Sequence, residues 1–272
     1  MAKFWKNKRF MLIFSIFAVA TLFLANALMK TDWQTIKDEE KAREYQPSAE
    51  VATIVDEIRL MDKGKTIFYA TNPQIQSAAD FNQNCDAETD NYSLGCYVND
   101  GTEHIYLYDT KNATEINENG LVYDLKTKRN TTALHELLHA VYNRLGTAEK
   151  RTACNDLKKA IADANIEREL DNYSDNQYCT EAFARIGSEH ISFANLNLSN
   201  IYKRYFEPSD SLNRKNIENT DSLAKLKAKI ADYDEQIDPA KQTVADYNLM
   251  VRDYNSLVDT YNKIATILDS RK

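Results

Sequence analysis

One five-residue string, His135-Glu136-Leu137-Leu138-His139, constrains this chain more than any other feature. Two imidazoles four positions apart share a face only if the segment is helical. Leu134, Leu137, Leu138 and Val141 fall where such a helix would bury its other side. Asn130 or Thr131 is expected to cap its start. Half of the four histidines in the chain stand in this string. Placed together they could grip one metal ion, and Glu136 would lie beside it, able to take a proton from water.

Two histidines leave a zinc site one protein ligand short of the usual three. The metzincin continuation is excluded, because Tyr142 and Leu145 stand where its glycine and third histidine would be. The third ligand must come from a distant segment, and Glu181 is the first choice. It begins an apolar helix, and the small Ala184 and Ser188 on that helix permit close approach to another one. Glu167 and Glu169 are alternatives within a charged stretch. His190 is another, provided Gly187 breaks the helix and turns it back toward the site.

Only 6 glycines and 4 prolines among 272 residues favour a mostly helical α+β chain over a strand-rich one. Pro47-Ser48 opens an amphipathic helix carrying Val51, Ile54, Val55, Ile58 and Met61. Residues 66–70 read as a strand and 76–94 as a polar loop. Residues 96–98 and 104–108 form a hairpin around Asn99-Asp100-Gly101. Beyond residue 120 only helices are expected, over 130–145, 147–170, 178–206 and most of 219–269.

Phe10 to Met29 carries no charge and as a helix would rise about 30 Å, the thickness of a bilayer core. Four cations precede it, so the sequence predicts a transmembrane signal-anchor over residues 1–30 with the body extracytoplasmic. The alternative is a secreted body, released at Ala25-Asn26-Ala27. The four cysteines (Cys85, Cys96, Cys154, Cys179) lie beyond that run, with no CxxC pair. An exported chain would pair them, in one of three connectivities; Cys85–Cys96 closes a short loop and Cys154–Cys179 a longer one. The net charge is −7, and the five cations of the first thirty residues leave −12 for the rest. An acidic body of this kind excludes nucleic acid as the main partner.

From HIYLYD (104–109), HELLH (135–139) and TEAFA (180–184) the chain resembles the gluzincin zinc metallopeptidases, especially the small minigluzincin type, over residues 50–206. The resemblance implies a zincin-like domain over 48–210, after a spacer at 31–47. It implies a zinc ion (Zn2+) held by His135, His139 and Glu181, and hydrolysis of a peptide or protein substrate with Glu136 as general base. An extended peptide would dock along the strand His104–Asp109, taken as the sheet edge. A tyrosine or histidine assisting the oxyanion is also implied, and Tyr173 and Tyr178 are the candidates. A Cys154–Cys179 bridge would tie the two metal-bearing helical regions together.

The carboxy-terminal segment 219–272 reads differently. Leu223, Ile230, Ile237, Val244, Val251, Val258 and Ala265 form one seven-residue series, and Leu226, Tyr233, Ala240, Tyr247, Tyr254, Tyr261 and Leu268 the other. No charge interrupts either series, which predicts a left-handed coiled coil interrupted at Asp238-Pro239. The expectation is a separate module, a helical hairpin or a rod, that self-associates or recruits a protein partner and takes no part in the chemistry; the alternative is a helix pair that simply packs on the catalytic domain. A rival reading makes that coiled coil the functional part of a non-catalytic surface scaffold. Retention of Glu136 in the motif favours the enzyme.

Overall fold

The helix that carries HELLH starts five residues earlier than its apolar pattern suggests. It is α5 (Leu125–Arg144), and its cap is Asp124, whose carboxylate accepts the Thr127 N–H at 2.9 Å and the Thr127 hydroxyl at 2.7 Å. Asn130 and Thr131 therefore lie inside the helix, buried, and cap nothing. The computed structural model describes residues 33–85, 94–111, 115–118, 121–164, 166–171, 173–236 and 244–268. Elements before α5 are α1 (33–44), α2 (Ala49–Glu57), α3 (Asp62–Ala70), β1 (Gln74–Gln76), α4 (Ala78–Asn84), β2 (Gly95–Asn99), β3 (Glu103–Tyr108), β4 (Glu115–Glu118) and β5 (Leu121–Asp124). After it come α6 (Thr147–Ala164), α7 (Asp175–Ser188), α8 (Leu196–Tyr202), α9 (Asp210–Gln236) and α10 (Val244–Leu268).

The fold is mostly helical with little sheet. No helix among the described residues is long and apolar enough to cross a membrane. That corrects the expectation of a transmembrane helix in the fold; the Phe10–Met29 run on which it rested lies outside the described residues.

Residues 66–70, expected as a strand, are the second half of α3. A five-residue apolar run cannot by itself separate strand from buried helix. Here Gly64 decides, because a Cβ there would stand 1.9 Å from the Tyr205 carbonyl oxygen. Its absence lets α3 lie against that backbone and bury Ile67 and Phe68. The expected hairpin is present as β2 and β3, paired antiparallel with Cys96 opposite Tyr106. β1 joins the other side of β3 in parallel, giving the order β1-β3-β2. Strands do occur beyond residue 120: β5 pairs with β4 and runs directly into the cap of α5.

α5 is the axis of the core. Its Leu134, Leu137, Leu138 and Val141 pack with apolar residues of α2, α3, α6, α7 and α8. The region 178–206, expected as one helix, is broken: α7 ends at Ser188, a 3₁₀ turn spans Ile191–Phe193, and Asn195 caps α8. Gly187 does not break α7. It permits tight packing, since a Cβ there would meet Leu138 Cδ1 at 2.5 Å and a Tyr202 ring carbon at 2.7 Å.

Both expected disulfides are formed. Cys85–Cys96 joins the end of α4 to β2, and Cys154–Cys179 joins α6 to α7. The second therefore holds the helix of Glu181 to its neighbour α6 and does not reach the helix of the two histidines. α1 is docked by charge: Arg144, at the end of α5, binds the buried Asp38 at 2.7 and 2.8 Å and Glu103 of β3 at 2.6 and 3.0 Å. Finally, α9 and α10 pack on each other and on Leu94, Tyr123 and Leu125, burying Leu226, Leu257, Ile264 and Leu268. The Asp238-Pro239 interruption lies outside the described residues.

Candidate metal centre

α5 and α7 cross where Leu138 meets Gly187, and that contact brings three side chains to one point. The Nε2 atoms of His135 and His139 lie 3.1 Å apart. Glu181 sets Oε1 at 3.5 Å from the first and Oε2 at 3.3 Å from the second. Two donors each about 2.0–2.1 Å from a tetrahedral ion stand roughly 3.3–3.5 Å apart, so this trio fits zinc. It is the one group of three or more such ligands that can close on a metal among the described residues.

Partners on α7 orient both imidazoles. His139 Nδ1 lies 3.3 Å from the Thr180 hydroxyl, and His135 Nδ1 lies 3.5 Å from the Ser188 hydroxyl, which itself donates to the Ala184 carbonyl at 2.8 Å. A metal at the common point requires both Nε2 lone pairs, which leaves each Nδ1–H to donate outward to these hydroxyls. Arg185, one turn after Glu181, donates from Nε to Oε1 at 2.9 Å and steadies the carboxylate. Thr180, Arg185 and Ser188 were not legible as site residues. Their one sequence signal is position, since Arg185 falls four residues after Glu181 and Ser188 seven.

The electrostatics follow from burial and proximity. Burial pushes Glu181 up, but His135 and His139 outweigh it and hold its carboxyl well below the usual range. Burial lowers His135, and Glu181 more than reverses that. Glu136 is only 6% exposed, and burial pushes its carboxyl up against the pull of the two histidines. The Tyr97 backbone hydrogen-bonds that carboxylate, so β2 lies directly beside the HELLH helix. Gly95 makes the approach possible; a Cβ there would sit 2.9 Å from both Leu107 Cδ2 and Thr132 Cγ2.

The other expectations are redistributed. β3 is the central strand, paired on both sides, so it cannot be the docking edge; β2 is the edge strand beside the site. Tyr173 lines the cavity at the metal trio, whereas Tyr178 packs against the core and does not. Glu167 is exposed in a 3₁₀ turn. His190 follows the end of α7 and faces Phe193, and His104 stacks on Tyr106 beside Thr102. Neither histidine joins the trio.

The cavity holds about 500 Å3. It is lined by the edge strand (Gly95, Cys96, Tyr97) and by the trio with Glu136. The same cavity is also lined, which was not foreseen, by Asn216, Asn219, Thr220, Leu223 and Lys227 of α9 and by Tyr261, Ile264, Ala265 and Leu268 of α10. Comparison with known proteins returns no matching family model, no matching curated protein and no matching solved structure. The gluzincin likeness therefore rests on the HELLH string and the convergence of Glu181 upon it.

Proposed function

We propose that the chain is a zinc metallopeptidase that hydrolyses peptide bonds. The observation carrying this reading is the meeting of His135, His139 and Glu181 at zinc-compatible spacing, with the buried Glu136 between the two histidines in sequence and beside them in the cleft. His135 and His139 would bind through Nε2 and Glu181 through its carboxylate, each held by its α7 partner. Zinc bound there supplies Lewis acidity, polarising the scissile carbonyl and lowering the pKa of water toward 7. Glu136 takes the proton from the attacking water and delivers it to the leaving amine. The outer edge of β2 offers backbone groups to an extended peptide. Tyr173, which lines the cavity, would assist the oxyanion. The two disulfides fit a body that folds in an oxidising compartment.

Metal analysis with a paired variant tests the proposal. The purified protein is expected to carry one zinc per chain and to cleave an unstructured peptide. Glu136→Gln is expected to keep the zinc and lose about 10²-fold or more in rate. A folded protein without affinity for zinc, or a Glu136→Gln variant with near-normal turnover, would overturn it.

A further inference from the structure

We infer that α9 and α10 form the substrate-selecting wall of the cleft and accept a bulky apolar side chain from the residue beside the scissile bond; this rests on the peptidase reading above. The heptad series predicts that Tyr261, Ala265 and Leu268 of α10 face a partner helix. The deepest stripe on α10 is instead Leu257, Thr260, Ile264 and Leu268, which is turned toward α9 and the catalytic body. Tyr261 and Ala265 are thereby left at the edge of the packed surface, only partly buried, and with Leu223 they line the cavity that also holds the metal trio. Helices that served only each other would have no reason to present this second apolar edge to a site.

The wall is fixed in place. Asn219 on α9 is 3% exposed and exchanges two 2.7 Å hydrogen bonds with the backbone of Asp124, the residue that caps the HELLH helix. The registration of α9 is thus tied to the helix that carries the histidines. Tyr123, Leu223, Tyr261, Ile264 and Leu268 give the wall apolar surface, and the small Ala265 leaves room between them. The cations beside the trio already have carboxylate partners: Arg185 binds Glu181 at 2.9 Å, and Lys128 lies 3.9 Å from Glu189. Lys227 stays exposed and lies over the Tyr261 ring, 6.0 Å from its centroid. α9 also lends the polar Asn216, Asn219, Thr220 and Lys227 to the lining, so the selection of a bulky apolar side chain comes from the α10 residues with Leu223 and Tyr123.

The test uses the zinc-loaded full chain and peptides identical except at the positions flanking the cleaved bond, where Leu, Trp, Ala or Asp is placed in turn. The wild type should prefer Leu to Ala and to Asp at one flanking position by about tenfold or more in kcat/KM. Ala265→Phe, which fills the wall, should cut the Leu-to-Ala ratio about tenfold at unchanged zinc content. Tyr261→Ala, which enlarges it and relieves packing rather than crowding it, should shift preference from Leu toward Trp. A uniform fall across all peptides in both variants would overturn the inference. So would a uniform rise, which would mark the helices as a simple obstruction. Zinc-dependent cleavage by the wild type with no flanking preference would overturn it while leaving the peptidase reading intact; absence of zinc binding would remove that reading first.

Discussion

Thr180 stands next to Glu181 in sequence and its hydroxyl faces the far nitrogen of His139, so two adjacent residues serve the site from opposite sides. Replacing it with the nearly isosteric valine removes the hydrogen bond and keeps the volume. Thr180→Val is expected to weaken zinc affinity about 10–100-fold, the usual effect of losing a partner that orients a metal-bound imidazole. A competition titration against a chelator measures it, and wild-type affinity in that variant would show that packing alone orients the ring. His135, Glu136 and His139 were legible because their roles depend on spacing along one helix. Glu181 was legible through exclusion of the metzincin pattern and through its small neighbours. Thr180 and Ser188 were not, because a hydroxyl becomes a partner only when another helix delivers the ring it binds.

At the scale of elements, the end of α5 is held by a charge cluster. Arg144 spans Asp38 of α1 and Glu103 of β3, and Tyr97 of β2 donates its hydroxyl to Glu103 at 2.5 Å. Burial raises Glu103, but the Arg144 hydrogen bond and charge outweigh it and hold its pKa below the usual carboxylate value of 4.5. Burial and the bond to Glu103 push Tyr97 up to about 12, so its hydroxyl stays protonated at neutral pH. For a carboxylate lowered on folding, the stabilisation is present above the unfolded pKa and is lost as pH falls through the folded one. Glu103→Gln is therefore expected to melt below wild type at pH 7, with the gap closing below pH 4.5. Thermal melts across that range check it, and a gap of constant size would refute the charge assignment. Elements with long periodic patterns were legible here, α5 and the β2–β3 hairpin among them. α3 was missed because a short run took its helical form from contact with the Tyr205 backbone, and β5 because its four residues carry no pattern of their own.

Over the whole molecule, the carboxy-terminal helices decide how far the site depends on distant sequence. Truncation after Glu218 would remove Asn219 from the Asp124 backbone and uncover Leu94 and Leu125, each now at most 1% exposed. Re-exposing two such side chains costs about 3–6 kcal/mol. At about 2–4 °C per kcal/mol, the truncated protein is expected to melt at least roughly 6 °C lower. Differential scanning calorimetry of the two forms measures this, and equal melting temperatures would mean that the helices merely rest on the body. The heptads were legible because any long helix shows its apolar stripe at a fixed period. Their partner was not, since a stripe specifies that it must be covered and leaves open by what. The sequence by itself determined the helix of HELLH, the residue types needed for a metal, the β2–β3 pairing and the apolar stripes, all of which are properties of local spacing. Only the tertiary structure decided that Glu181 meets the histidines, that β2 and not β3 is the edge, and that α10 lines the cleft. The first two depend on close approach at Gly187 and Gly95, where the missing Cβ lets the backbone come near a neighbour, and the third on the packing of α9 and α10 against Tyr123 and Leu125.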